Sequence, residues 1–145
     1  KNGTAFNIKK RFDKGETNLL LGMGSFWEGA DFAQQDKVIE VITRLPFDNP
    51  KDPFYQKIES LFSKQGRSTF DSYSLPMTVL RFKQAIGRSQ RRPEQRSAIL
   101  LMDNRPLVKS YGKLFIKEVS QEVTLRHAPF KQLKEDIQEF LEKEC

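Results

Sequence analysis

The stretch from Ser74 to Arg92 constrains this chain most, because at about 100° per residue it sorts into two chemically opposite helix faces. Leu75, Val79, Phe82 and Ile86 fall on one narrow apolar stripe. Gln84, Arg88 and Arg91 fall nearly opposite, with Arg81 beside them and Gly87 to one side. Ser74 is the candidate N-cap, and Pro93 ends the run at Arg92. A solvated basic face is the ordinary fate of such a row. Phosphate binding is the alternative, because planar guanidinium forks grip oxyanions in pairs. Gly87 adds to it: glycine costs a helix interior about 1 kcal/mol, and its place here admits a ligand or another backbone close by.

The flanking sequence supplies the frame. Residues 4–14 space Phe6 or Ile8 and Phe12 as one helix face, and Gly15 stands where that helix stops. Asn18 to Gly22 is a short apolar run between turn formers, read as a buried strand. The glycine- and aromatic-rich segment Gly22–Ala33 fits neither period and is read as a loop. Lys37–Arg44 is β-branched and stops at Leu45-Pro46, a second strand. Asp52-Pro53 is an N-cap with proline at the first helical position, leading Phe54, Ile58, Leu61 and Phe62 at helical spacing to Gly66. Ser97–Asp103 is a third apolar strand, residues 111–118 a short helix interrupted by Gly112, and about 129–144 an amphipathic helix that is expected to join the core. Strands alternating with helices predict an α/β domain over 1–145, with a mainly parallel sheet covered by helices on both faces.

Composition narrows the function classes. With 145 residues the chain fits one domain, and nothing in it approaches the roughly 18 apolar residues in a row that a spanning helix needs. Its only cysteine is Cys145 and its only histidine is His127, so no metal site is expected, and the cysteine usage fits a reducing cytoplasm. The net charge of +6 favours a polyanionic partner. The excess is local: six cations between Arg81 and Arg96 oppose Glu94 alone.

Two segments resemble known motifs. Gln84-Ala-Ile-Gly87-Arg88-Ser-Gln-Arg91 is similar to motif VI (Q-x-x-G-R-x-x-R) of superfamily 2 helicases. Ser25-Phe26-Trp27-Glu28-Gly29-Ala30-Asp31 resembles motif V (24–31) as the DinG/XPD/Rad3 branch writes it. Their order, their separation and the intervening Arg44-Leu45-Pro46-Phe47 make the DinG family the nearest resemblance, over roughly residues 4–120. Ser89-Gln90 departs from the Leu-Ile that many relatives carry, and Ala33-Gln34-Gln35 from a glycine after motif V.

The resemblance implies the second, C-terminal RecA-like motor domain of a DNA helicase, lacking its first strand and the motif IV that goes with it. An unpaired strand left that way invites association between chains. ATP with Mg²⁺ would be bound mainly by the first RecA-like domain; this sequence has neither a G-x-x-x-x-G-K-[ST] loop nor a D-E-x-H box, so alone it is expected to be inactive. By position, Arg88 and Arg91 would be arginine fingers and Gln84 a hydrogen-bonding partner near the γ-phosphate. Gly87 would leave room there, and Glu28, Gly29 and Asp31 would link nucleotide to nucleic acid. Ser25, Phe26 and Arg81 would touch DNA. The partners implied are single-stranded DNA or DNA junctions and the first motor domain, with DNA repair the process and no membrane involved. Two other readings stay open: a basic nucleic-acid-binding module without ATP coupling, and the helicase-like part of a DinG-type nuclease. Phe26 and Trp27 equally suit a core plug, and Asp31 a turn.

Overall fold

In a computed structural model the described residues are 5–22 and 32–143. Their order is α1 (Ala5–Asp13), β1 (Lys37–Ile42), α2 (Pro53–Lys64), a single π-helical turn (Phe70–Ser74), α3 (Leu75–Ser89), β2 (Arg96–Leu101), α4 (Arg105–Val108), α5 (Gly112–Val119) and α6 (Phe130–Glu142). The motif V segment, with Ser25, Phe26, Glu28, Gly29 and Asp31, lies outside the described residues.

The sheet consists of β1 and β2. Arg96 N–H donates to Asp36 O at one end and Met102 N–H to Ile42 O at the other, each 2.9 Å. Both strands advance by the same number of residues between those bonds, so they run parallel. In β1 the pleat buries Val38 and Ile42 while Ile39 and Val41 stay more than half exposed. The parallel strands flanked by helices are as expected, and among the described residues the Ile39 and Val41 face of β1 is the less covered one. A β-branched run predicts a strand, and what covers each face is decided by the tertiary partners.

Residue contacts group the chain into two compact units. The first holds Lys1–Glu40, Ala85–Ile99 and Ala128–Cys145. Here Gly15, at φ +72°, takes the left-handed turn that stops α1. Phe12 meets Phe32 edge to face, with ring centroids 6.2 Å apart. The run Asn18–Gly22 does not form a strand: it has no ladder partner among the described residues, and Leu19 and Leu21 are largely exposed. Apolar content alone cannot make a strand when no neighbouring backbone takes its N–H and C=O groups. The final helix, α6, also departs from expectation. It contains no buried residue, and Phe130 and Phe140 are exposed, because amphipathic spacing names a face without naming what packs on it.

The second unit holds Val41–Gln84 and Leu100–His127. Asp52 caps α2 as its sequence predicts, accepting from Phe54 and Tyr55 N–H, with Pro53 at the first helical position. Ser74 is not the N-cap of α3. It closes the π-helical turn and is buried, its hydroxyl within 2.9 Å of Tyr55 Oη, while its carbonyl accepts from Thr78 Oγ1. Leu75, Val79 and Phe82 are buried as the stripe requires, and Phe82 meets the Phe115 ring of α5 at 5.3 Å. Gly112 opens α5 and does not interrupt it. A Cβ there would lie 1.8 Å from Pro106 O, so only glycine fits.

Candidate functional site

The polar end of α3 is shaped by a conflict within the sequence. Pro93 disfavours helical backbone at Arg92, and α3 stops at Ser89, three residues short of the expected Arg92. Ile86 and Ser89 are buried, and Ser89 is completely so. Ser89 Oγ donates to the Glu40 carboxylate on β1. Burial pushes the Glu40 carboxyl above its ordinary value, and the Ser89 hydrogen bond and the Arg88 charge offset only part of that rise.

Arg88 is half-buried, and its Nη1 is closed off from solvent with no hydrogen-bond partner among the described residues. A buried guanidinium nitrogen without an acceptor is costly, and the anionic group that the Arg88 charge acts on among the described residues is Glu40. Gln84 and Gly87 are exposed on α3, and among the described residues nothing outside α3 crowds the position a side chain would take at Gly87.

Arg91 lies beyond α3, so helical geometry does not place it. Its side chain is exposed, and its backbone N–H donates to Gln95 Oε1 at 2.7 Å. Gln95 is 2 % exposed, and its Nε2 donates to both Phe32 O and Gln35 O at 2.8 Å. Next to it, Arg92 pairs with Asp36 at 2.7 Å. The stretch directly after motif V is thereby fastened to the residues directly after motif VI. Sequence reasoning missed Gln95 and Glu40, since a lone amide and a lone carboxylate carry no spacing signal.

Within the second unit, Arg81 is committed to Asp48 Oδ1 at 2.7 Å and to Pro46 O at 3.1 Å. A second clamp joins the segments that follow the two strands. Asp103 accepts from the backbone N–H groups of Leu45 and Arg105 and from the Arg105 guanidinium, which stacks on Phe47 with its centre 5.0 Å from the ring. Burial opposes the charge on Asp103, yet those donors outweigh it and hold the carboxyl at about 2. Thr43, Arg44, Met102, Asn104 and the clamp line a cavity of about 330 Å³. Among the described residues no group of three or more His, Cys, Asp or Glu side chains is arranged to hold a metal. No described helix is long and apolar enough to cross a membrane.

A family model described as the helicase C-terminal domain matches residues 1–122. The chain belongs to the helicase C-terminal domain family. It is 36% identical over 114 residues to the "3'-5' exonuclease DinG" of Bacillus subtilis, covering 79% of this chain and 12% of that protein. It is 32% identical over 109 residues to the "ATP-dependent DNA helicase YoaA" of Escherichia coli, covering 75% and 17%. Against the "3'-5' exonuclease DinG" of a Staphylococcus aureus strain it is 34% identical over 135 residues, 93% of this chain and 14% of that protein. No solved structure matches.

The family match bears out the DinG-type resemblance and the α/β fold class with its parallel strands. It covers the whole span between the two motifs that carried the resemblance. The chain spans less than a fifth of each of these relatives.

Proposed function

We propose that this chain is the second motor half of an ATP-dependent DNA helicase. ATP with Mg²⁺ is held mainly by a first RecA-like domain, and this family member supplies Arg88 and Arg91 to the γ-phosphate, with Gln84 hydrogen-bonding nearby. The motif V segment links the two ligands: Glu28, Gly29 and Asp31 on the nucleotide side, Ser25 and Phe26 on single-stranded DNA. The setting is DNA metabolism in the cytoplasm.

One observation carries the reading: the Arg88 Nη1, enclosed and without an acceptor among the described residues, in a chain matching the helicase C-terminal domain. A phosphoryl oxygen supplies that acceptor. It does so most strongly as charge builds in the transition state, where an arginine finger is worth about 10³–10⁵ in rate. Arg81 enters as a brace for residues 46–48, since its guanidinium is already engaged with Asp48 and the Pro46 carbonyl.

The full-length protein tests the coupling directly. Single-stranded DNA affinity is measured with no nucleotide and with a non-hydrolysable ATP analogue. A motor gives affinities that differ several-fold between the two, because cleft closure rearranges the DNA contacts. Equal affinities at every salt concentration, with a steep salt slope, make the chain a basic binding module.

A further inference from the structure

Three buried polar assemblies stand out in the described residues: the Asp103–Arg105 clamp with its cavity, the Ser89–Glu40 contact, and the Gln95 amide. The last reaches furthest. Gln95 uses its acceptor and both of its amide N–H donors at once, while being 2 % exposed. A side-chain amide with all of these bonds made and almost no contact with water is fixed in orientation, because any rotation leaves buried groups unpaired.

Its partners are not neighbours in the sequence. One is the backbone N–H of Arg91, the last residue of motif VI, two residues beyond the end of α3. The others are the carbonyls of Phe32 and Gln35, which follow motif V without a break. Arg92 repeats the connection through Asp36. The Arg91 backbone is therefore joined through Gln95 to the segment leaving motif V, one residue beyond the last α3-type bond, from Gln90 N–H to Ile86 O.

We propose that Gln95 is a positioning residue that couples the two motifs: it makes the placement of Arg91 depend on the placement of the chain leaving motif V. The proposal rests on the reading of Arg91 as an arginine finger. Gln95 itself touches neither ligand. Its effect is on where Arg91 stands when the transition state forms, and a misplacement of about 1 Å there costs up to a hundredfold in rate.

The test is DNA-stimulated ATP hydrolysis by the full-length protein carrying Gln95→Leu or Gln95→Glu, beside Arg91→Ala. Gln95→Leu removes every bond. Gln95→Glu keeps the acceptor for Arg91 N–H, but sets a carboxylate oxygen against the Phe32 and Gln35 carbonyls. The expected result is a fall of about ten- to a hundredfold in kcat for both variants, with KM for ATP and Kd for single-stranded DNA within about twofold of the parent. Full kcat in Gln95→Glu overturns the coupling, because the amide then only secures the end of α3. A matching loss of ATP binding, DNA binding and thermal stability in both variants also overturns it, showing a part of the scaffold alone. If Arg91→Ala keeps full turnover, the finger reading itself has failed, and the inference falls with it. If Arg91→Ala is inactive while both Gln95 variants match the parent, the inference alone has failed.

Discussion

The Ser89 hydroxyl, completely buried at the last residue of α3, donates to the carboxylate of Glu40 in the middle of β1. A strand position flanked by buried Val38 and Ile42 ordinarily takes an apolar side chain, and here it holds an acid whose burial disfavours its charge. The contact pins the end of the arginine-bearing helix to the sheet, at a cost in stability.

That cost is measurable as a pH dependence. Glu40 has a folded pKa above its ordinary 4.5, so the folded protein binds more protons, and stability declines as pH rises from 4.5 through the raised value. Glu40→Gln keeps an acceptor for Ser89 and removes the charge. Its melting temperature at pH 7 should rise, and the decline over that pH window should flatten. A lower melting temperature with an unchanged pH profile contradicts this assignment.

The Asp103–Arg105 clamp behaves with the opposite sign. Asp103 titrates at about 2 when folded, below its ordinary 3.8, so its contribution is complete above pH 3.8 and fades as pH falls through 2. Asp103→Ala leaves the Leu45 N–H and the Arg105 guanidinium without their acceptor. Urea unfolding at pH 7 should show a loss of about 3 kcal/mol, and no rescue by buffer changes between pH 5 and 8.

The two structurally described helical glycines of opposite environment separate packing from function. A methyl group at Gly112 collides with the Pro106 carbonyl, so Gly112→Ala should cost about 3 kcal/mol or prevent folding. At Gly87 nothing outside α3 crowds that position among the described residues, so alanine there should stabilise α3 by up to about 1 kcal/mol. If the open space at Gly87 receives the nucleotide, Gly87→Ala loses turnover in the full-length protein while its melting temperature rises. Full turnover in that variant removes Gly87 from the site.

Several of these elements were legible in the residues themselves. The Asp52-Pro53 pair specifies the start of α2 locally, and the stripe Leu75, Val79, Phe82, Ile86 specifies the buried face of α3, because capping and helical period act over a few residues. The motif spacing identified the helicase C-terminal domain family. Long-range decisions were not legible. Asn18–Gly22 reads as a strand and is coil, because a strand is made by its neighbour. The α3 terminus, the π-helical turn at Phe70–Ser74 and the Gln95 bridge depend on which buried partner reaches which backbone group. Periodicity carries no information about that. Motif V, which the sequence placed in a loop, lies outside the described residues.

The central claim is that Arg88 acts on the nucleotide and only in the transition state. The most direct measurement is steady-state ATP turnover by the full-length protein, saturated with single-stranded DNA, for the parent and for Arg88→Ala, with ATP affinity measured on the same samples. A fall in kcat of about a thousandfold or more, with ATP affinity within a few-fold of the parent, is the result this account gives. Turnover unchanged by the substitution contradicts it, and leaves the arginine face of α3 as a DNA-contacting or solvated surface.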